Sequence, residues 1–242
     1  MWFSGSVRCR RCRTARFPIR PMFQPKLDAL PPAQRAIWPL LAEVPGHFVL
    51  YGGTAVALRL GHRVSVDFDF FSPQSFQPET LLAAIPWLRR AEPRLLQRKD
   101  NTLTVEVDGP KGAVKLSFFG TIGFGQIRPP DVCADHGLKV ASAEDLLALK
   151  LGTIQQRVEA KDYLDIRALV RAGLSLAEAL GHLEALHPLA TNAMITLKTL
   201  VYFSGGDLAS LPSEVKSDLE NAVRDVREAV PFAGTKALIG TV

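Results

Sequence analysis

Residues that build sulfur- or nitrogen-based centres are scarce in this chain of 242 residues. The three cysteines, Cys9, Cys12 and Cys133, are odd in number, which is a poor basis for a disulfide framework and typical of a reducing cytosol. Cys9 and Cys12 have the two-residue gap of a zinc pair, but no second Cys/His pair follows at a usable spacing. The five histidines show no metal-binding spacing, and no Gly-x-Ser-x-Gly elbow occurs. A disulfide scaffold, a zinc centre and a serine hydrolase are therefore not predicted.

Long apolar runs are also absent from the sequence. None reaches the ~18 residues that a membrane-spanning helix needs. Because 47% of the residues are nevertheless hydrophobic, a substantial core can be buried. We therefore expect a soluble, cytoplasmic protein that has no contact with a membrane.

The net charge of +5 has a local origin. Residues 1–21 contain six arginines and no acid, so the rest of the chain carries 5 − 6 = −1. The overall charge therefore gives no argument that the folded part binds nucleic acid. Residues 1–21 are predicted to be a disordered basic tail, an arm that touches phosphate backbones, or sequence upstream of a natural start at Met22.

The remainder divides by hydrophobic pattern into two parts. Period-two patterns predict strands in the first part, at 47–51, 63–72, 102–107 and 113–120. Helical patterns predict helices at 33–43, 54–61 and 78–91, then at 142–173, 175–188, 191–203 and 212–230. Residues 121–140 show no regular pattern. We therefore predict an α+β fold, with a mixed sheet and flanking helices at 22–140 and a helical bundle at 141–242.

One segment, YGGTAVALRLGHRVSVDFDFF at 51–71, places two acids in an apolar strand. Alternate strand residues share a face, so Asp67 and Asp69 are expected on one face with their Cα atoms ~7 Å apart. Phe68, Phe70 and the two preceding valines are expected on the other face. Two like charges on a buried sheet are costly unless a cation lies between them. The pair therefore predicts a site for Mg²⁺, or Mn²⁺, which commonly combines carboxylates with phosphate oxygens.

The glycines before this strand predict a phosphate site. Gly52 and Gly53 lie where a strand turns into a helix, and they permit a positive φ and close backbone approach. A helix that opens at Thr54 presents free N–H groups to an anion, and the Thr54 hydroxyl can cap the helix or touch a phosphate. Either motif alone is more often structural, as a turn or a solvated acidic edge, but their ordered combination is specific.

This combination resembles the signature of the nucleotidyltransferase superfamily, and more closely that of the AbiEii/AbiGii-type nucleotidyltransferase toxins. The resemblance covers about residues 45–170 and includes the helical block LKLGTIQQRVEAKDYLDIRAL. It implies a nucleotidyltransferase-like fold and a transferase that uses a nucleoside triphosphate with Mg²⁺. The acceptor would be RNA, such as the 3′ end of tRNA, and a cognate antitoxin would be the partner.

The resemblance also implies roles for individual residues. Gly52, Gly53, Thr54 and Arg157 would bind the nucleotide, Asp67 and Asp69 would hold the metal, Lys150 would contact the triphosphate, and Asp162 or Asp165 would orient groups in the site. On one continuous helix, Lys150 and Arg157 would share a face, and Lys161 could form an i,i+4 ion pair with Asp165. The alternative interpretation of this block is a solvated, salt-bridged helix.

The sequence departs from the superfamily pattern at the third carboxylate, which usually stands on a neighbouring strand. Ser117 occupies that position, and Glu106 on the partner strand of the hairpin is the only nearby acid in phase. Glu106 could serve as the base, metal alone could activate the acceptor, or the enzyme could be weak or altered. Two alternatives to an RNA-modifying toxin follow: a nucleotidyltransferase that modifies a small molecule, and a catalytically silent nucleotide-binding module.

Overall fold

A mixed β-sheet forms the centre of the molecule. The computed structural model describes residues 22–109, 111–188 and 192–241. Within these ranges the sheet has seven strands in the order β3-β4-β5-β2-β1-β7-β6. The strands are β1 Val49–Tyr51, β2 Asp67–Phe71, β3 Arg94–Lys99, β4 Thr102–Gly109, β5 Gly112–Phe119, β6 Asp131–Val132 and β7 Lys139–Val140. The central strand β2 runs antiparallel to β1 and parallel to β5.

Helices flank this sheet and continue after it. They are α1 Pro32–Ile37, α2 Gly52–Leu60, α3 Pro78–Ala84, α4 Pro86–Arg90, α5 Ala143–Thr153, α6 Ala160–Arg171, α7 Leu176–Leu186, α8 Ala193–Leu200 and α9 Ser213–Asp225. Short 3-10 helices occupy Leu27–Ala29, Trp38–Glu43 and Leu208–Ser210. The predicted α+β class, with a mixed sheet followed by helices, is confirmed.

The core lies against the apolar face of the central strands. Phe68 and Phe70 on β2 are fully buried, and Phe70 stacks on Phe118 of β5 with ring centroids 5.0 Å apart. Buried side chains of α2, α5 and α6 belong to the same hydrophobic cluster. The core therefore extends across residue 140, and α5 and α6 pack against α2. The division of the chain at 140 stays a prediction.

Strand β2 is shorter than its sequence pattern predicted, because residues 63–66 do not join the sheet. The N–H of Ser65 donates to Ala29 O at 3.2 Å, and Gln34 Nε2 donates to Val66 O at 2.7 Å. These backbone groups therefore bond to the segment before β1. Val64 and Val66 are 60% and 51% exposed, so the expectation that they share the buried face of Phe68 is wrong.

The predicted helix at 142–173 is two helices, α5 and α6, separated by a turn at 154–159. Successive short-range bonds end α5, such as Gln156 N to Thr153 O at 2.9 Å. The carboxylate of Asp207, from a later loop, then accepts from Ala160 N at 2.6 Å and caps the start of α6. Arg157 therefore lies in the turn, and the prediction that it shares a helix face with Lys150 is wrong.

Other boundaries differ for local reasons. Pro86 divides the predicted helix at 78–91 into α3 and α4. Strand β3 was not predicted, because RLLQRK at an exposed sheet edge does not alternate. The predictions for residues 1–21, including the Cys9–Cys12 pair, lie outside the described residues. No helix in the described ranges has the length and apolarity needed to cross a membrane.

Candidate active site

The two aspartates of β2 open onto a cavity at the polar face of the sheet. Asp69 lies opposite Tyr51 of β1 and Ser117 of β5, and Asp67 lies opposite Lys115 of β5. Because Phe68 between them is fully buried, strand alternation directs both carboxylates to the other face. Asp67 and Asp69 therefore lie on one face of the strand, as the sequence pattern predicts. The cavity has a volume of about 520 Å³, within the range of small-molecule sites.

The glycine turn closes against these acids. Gly52 has a φ of +74°, and a Cβ added there would lie 2.8 Å from Asp69 Oδ2. A Cβ on Gly53 would collide with the guanidinium of Arg63. Only glycine lets the backbone approach Asp69 and Arg63 this closely. Helix α2 begins at Gly52, two residues earlier than predicted, so both glycines belong to its first turn.

Thr54 lies beneath the cavity and does not contribute to its lining. Its hydroxyl contacts Ser65 Oγ at 2.8 Å and donates a short hydrogen bond to the carbonyl of Asp67. The side chain is buried, and the cap residue of α2 is Tyr51. The expectation that the Thr54 hydroxyl caps the helix is therefore wrong. The hydroxyl instead fixes the start of β2, and with it the backbone that carries Asp67.

Two fully buried acids on α6 hold a group of cations that lines the same cavity. Lys150 Nζ lies 2.7 Å from Asp162 Oδ1 and 2.6 Å from Asp165 Oδ2. Arg157 donates to both oxygens of Asp162, at 2.8 and 3.1 Å. Arg63 donates to both oxygens of Asp165, at 2.7 and 2.9 Å. The three cations line the cavity, whereas the two acids behind them do not.

Lys161 does not form the predicted ion pair with Asp165. Its Nζ lies 2.6 Å from Glu159 Oε2, because Asp165 is buried and already bonded to Arg63, to Lys150 and to His62 Nε2 at 2.7 Å. The alternative of a solvated, salt-bridged helix is also excluded for these acids, since Asp162 and Asp165 have no exposed surface.

The pKa values of the acids in the site shift in opposite directions. Burial alone would raise the pKa of Asp165, but hydrogen bonds from His62 and Arg63 and the charge of Lys150 outweigh it and hold the pKa far below its usual range. Asp162 behaves alike: burial opposes ionisation, and Arg157 and Lys150 lower its pKa. Both acids are therefore ionised and fix their cations in place.

Asp69 shows the opposite shift. Burial raises the pKa of its carboxyl, and the charge of Asp67 raises it further, while Lys115, a hydrogen bond from Ser117 and Lys150 act in the other direction. A raised carboxyl pKa means that the negative charge lacks full compensation in the protein alone. A cation at the pair would supply that compensation.

The donor set fits a hard divalent cation. Asp67 and Asp69 provide carboxylate oxygens only, and the turn at Gly52 leaves the Asp69 oxygen accessible without a Cβ. Among the described residues, no three His, Cys, Asp or Glu side chains form a metal cluster. Mg²⁺ is usually bound by one or two carboxylates, and water and phosphate oxygens supply its remaining ligands.

No third carboxylate reaches this pair in the described part of the chain. Ser117 lies directly opposite Asp69, as predicted for the position of the missing acid. Glu106 lies opposite Lys115, one strand farther from Asp67, and forms a short ion pair with Arg94 of β3. Lys115 thus separates Glu106 from the two aspartates, and Glu106 is not placed to act on a group that they bind.

Sequence reasoning assigned no role to Arg63 or Lys115. In the sequence pattern, Arg63 lies four residues before Asp67 and six before Asp69, and Lys115 is in register with Asp67 on the facing strand. Phase alone could have pointed to Arg63 within the motif. The contact of Arg63 with Asp165 could not be foreseen, because it joins positions 102 apart in the chain.

The fold and the site together define the class of the protein. A mixed sheet presents two carboxylates beside a glycine turn, in a cavity that anchored cations also line, and the turn and the carboxylate pair fit the nucleotidyltransferase signature that the sequence resembles. A model of the family described as nucleotidyl transferase AbiEii toxin, type IV toxin–antitoxin system, matches residues 40–231. An uncharacterized protein of Aquifex aeolicus (strain VF5) is 33% identical over 184 residues, which span 75% of this chain and 83% of that protein. The chain belongs to the AbiEii nucleotidyl transferase toxin family.

A solved structure shares the fold. A crystal structure of an H. pylori protein assigned as a nucleotidyltransferase is 18% identical, with a TM-score of 0.51 over 79% of this chain and 90% of that one. The nucleotidyltransferase toxin MenT4 of Mycobacterium tuberculosis H37Rv gives a weaker likeness, at 17% identity and a TM-score of 0.40 over 82% of this chain and 91% of that one. The predictions of the family, the fold class and a nucleotidyltransferase enzyme are confirmed.

Proposed function

We propose that the protein transfers a nucleotidyl group from a nucleoside triphosphate to a hydroxyl of RNA, at the 3′ end of tRNA, in a Mg²⁺-dependent reaction. One observation carries this proposal: a carboxylate pair and a group of anchored cations line the same cavity. The carboxylates suit a metal–phosphate complex, and the cations suit the other oxygens of a triphosphate.

In this proposal each wall of the cavity has its own task. Asp67 and Asp69 would hold the metal, which when bound neutralises negative charge on the phosphates. The first-turn N–H groups of α2, at Gly52 and Gly53, would face phosphate oxygens. Lys150 and Arg157, with Arg63, would bind the triphosphate as fixed charges. Asp162 and Asp165 are positioning residues, because they touch the cations and not the cavity.

The reaction itself needs little covalent participation from the chain. The acceptor oxygen attacks the α-phosphorus, the bond from that phosphorus to the bridging oxygen breaks, and pyrophosphate leaves with the electron pair. The hydroxyl proton passes to water in the open cavity, since Glu106 lies beyond Lys115. Charge accumulates on the leaving pyrophosphate, where Lys150 and Arg157 would stabilise it.

The test uses purified protein, Mg²⁺, each labelled nucleoside triphosphate in turn and total tRNA. We expect label on RNA from the wild type and none from Asp67→Ala. Asp108→Ala is the matched control, because this acid lies on the same sheet at an exposed position outside the cavity. Label that survives in Asp67→Ala would contradict the assignment of the metal site. Bound triphosphate without labelled RNA would move the acceptor to a small molecule, or indicate a silent site.

The toxin role follows from the family, and a cognate antitoxin is the expected partner. We propose that growth arrest depends on nucleotide transfer. Expression of the wild type should arrest growth, and expression of Asp67→Ala at equal level should not. Equal arrest by both proteins would separate toxicity from the chemistry of this cavity.

A further inference from the structure

Lys115 lies beside the carboxylate pair, two residues before Ser117 on the strand that lacks the third acid. Its Nζ lies 3.1 Å from Asp67 Oδ2, and its backbone is in register with Asp67 across the parallel strands β2 and β5. The next position in phase on β5 is Ser117, opposite Asp69. The facing strand therefore offers the pair an ammonium and a hydroxyl, and no carboxylate.

Stability of the fold does not explain this lysine. The side chains of Lys115 and Asp67 are 39% and 36% exposed, and an ion pair with that much water contributes little to folding. Both side chains line the cavity. The ammonium is thus placed where its charge acts on whatever the cavity binds.

A second divalent cation would meet two obstacles here. Two-metal sites hold their ions ~4 Å apart, and both ions need bridging anionic oxygens. In this chain one Asp67 oxygen already contacts Lys115, and the charge of the ammonium repels a further cation. Glu106 cannot compensate, because Lys115 stands between it and Asp67 in register and Arg94 pairs with it.

We infer that the site binds a single divalent cation together with the nucleotide, and that the Lys115 ammonium supplies the positive charge that a second cation would otherwise provide. This inference rests on the proposed function and specifies its metal requirement. Asp67 and Asp69 hold the one cation, and Lys115 is a fixed charge beside the reacting phosphate.

The test counts bound ions and does not depend on turnover. The protein is titrated with Mn²⁺ in the presence of an α,β-methylene nucleoside triphosphate, and bound Mn²⁺ is counted by electron paramagnetic resonance. We expect one Mn²⁺ per chain in the wild type. In Lys115→Glu, a third carboxylate in the row of Asp67 should admit a second Mn²⁺. Two Mn²⁺ in the wild type, or one in a folded Lys115→Glu, would overturn the inference.

A second variant tests the role of the charge, and it keeps the proposal open to refutation if Lys115→Glu does not fold. A unit charge ~6 Å from a divalent cation in water-like surroundings changes affinity about tenfold. Lys115→Ala should therefore bind Mn²⁺ about tenfold more tightly and yet transfer nucleotide more slowly. Lys111→Ala, an exposed lysine at the turn of the same hairpin, should change neither quantity. Tighter binding with an undiminished rate would show that the ammonium has no part in the reaction.

The two levels of proposal fail in different ways. Absence of any Mn²⁺ at saturating nucleotide would overturn both the metal site and the inference built on it. Two Mn²⁺ in a wild type that still labels RNA would overturn only the single-cation inference. One Mn²⁺ in a protein that labels no acceptor would support the metal site and contradict the proposed acceptor.

Discussion

The replacement of Asp165 by asparagine tests the idea that buried acids anchor the cations of the site. Asp165 has no exposed surface and accepts from Arg63 twice, from His62 and from Lys150. Asparagine keeps the shape but removes the charge. Its amide nitrogen would then face a donor, because every neighbour at that carboxylate donates.

The magnitude follows from counting the donors left without an acceptor. Four donated bonds reach Asp165, from Arg63, His62 and Lys150, and one amide oxygen can keep about half of them. Lys150 and Arg63 are only 7% and 16% exposed, so water replaces little of the loss. With roughly 1–3 kcal/mol for each unsatisfied buried group, Asp165→Asn should lower the free energy of unfolding by about 3–5 kcal/mol, as is usual for a broken buried pair.

The pH dependence has a definite sign. The pKa of Asp165 is lowered in the folded protein, because its hydrogen bonds and Lys150 outweigh the opposing effect of burial. The stabilisation is therefore fully present above the unfolded pKa of ~4, and is lost as pH falls toward the folded value. Asp165→Asn lacks this contribution at every pH. The difference in unfolding free energy between wild type and variant should shrink below about pH 4.

Urea unfolding followed by tryptophan fluorescence measures both effects. Asp28→Asn is the matched control, because Asp28 is fully exposed and its ion pair with Arg35, at 3.4 Å, lies at the surface. This variant should change the unfolding free energy by less than about 0.5 kcal/mol. The reasoning is refuted if Asp165→Asn costs less than about 1 kcal/mol at pH 7. It is also refuted if the difference from wild type widens in acid.

Two further predictions concern the turn and the helix beneath it. Gly52→Ala should weaken Mn²⁺ binding by at least about tenfold, because the new Cβ displaces Asp69 and the backbone φ is +74°. Gly46→Ala is the control and should leave Mn²⁺ binding unchanged, since the space around its Cβ position is open. A Mn²⁺ titration of both variants measures the difference. Thr54→Val should lower the free energy of unfolding by about 1–2 kcal/mol in urea melts, because the Asp67 carbonyl and Ser65 lose a buried partner. If Thr54→Val left the free energy of unfolding unchanged, the supporting role of that hydroxyl would be contradicted.

The local part of the site could be predicted from the sequence because it is a short-range pattern. Asp67 and Asp69 are two residues apart in one strand, so strand period alone puts them on one face. The glycine turn precedes them by one helix, so these relations span few residues and follow from backbone geometry. The place of Ser117 is different, because the parallel pairing of β2 with β5 brings it beside Asp69 from a position far along the chain.

The rest depended on contacts that no local pattern contains. The helical pattern of 142–173 is continuous, but the structure breaks it before α6, where Asp207 from a distant loop caps the new helix. Arg157 lies in that break. Val64 and Val66 alternate correctly, yet the backbone at Ser65 and Val66 bonds to residues 29–34 and not to the sheet. Asp162 and Asp165 were predicted as orienting acids, but only the structure shows that they are buried and lie behind the cations.

The ion pair between Arg63 and Asp165 has a consequence for how the site forms. Arg63 belongs to the segment of the carboxylate pair, and Asp165 belongs to a helix 102 positions later. If α6 is not packed, Arg63 and Lys150 lose their shared acceptor, and free cations would be drawn to the nearest remaining acids, Asp67 and Asp69. The proposed metal site therefore depends on both parts of the chain being folded together, because buried Asp165 engages the cations that would otherwise pair with the carboxylates proposed to hold the metal.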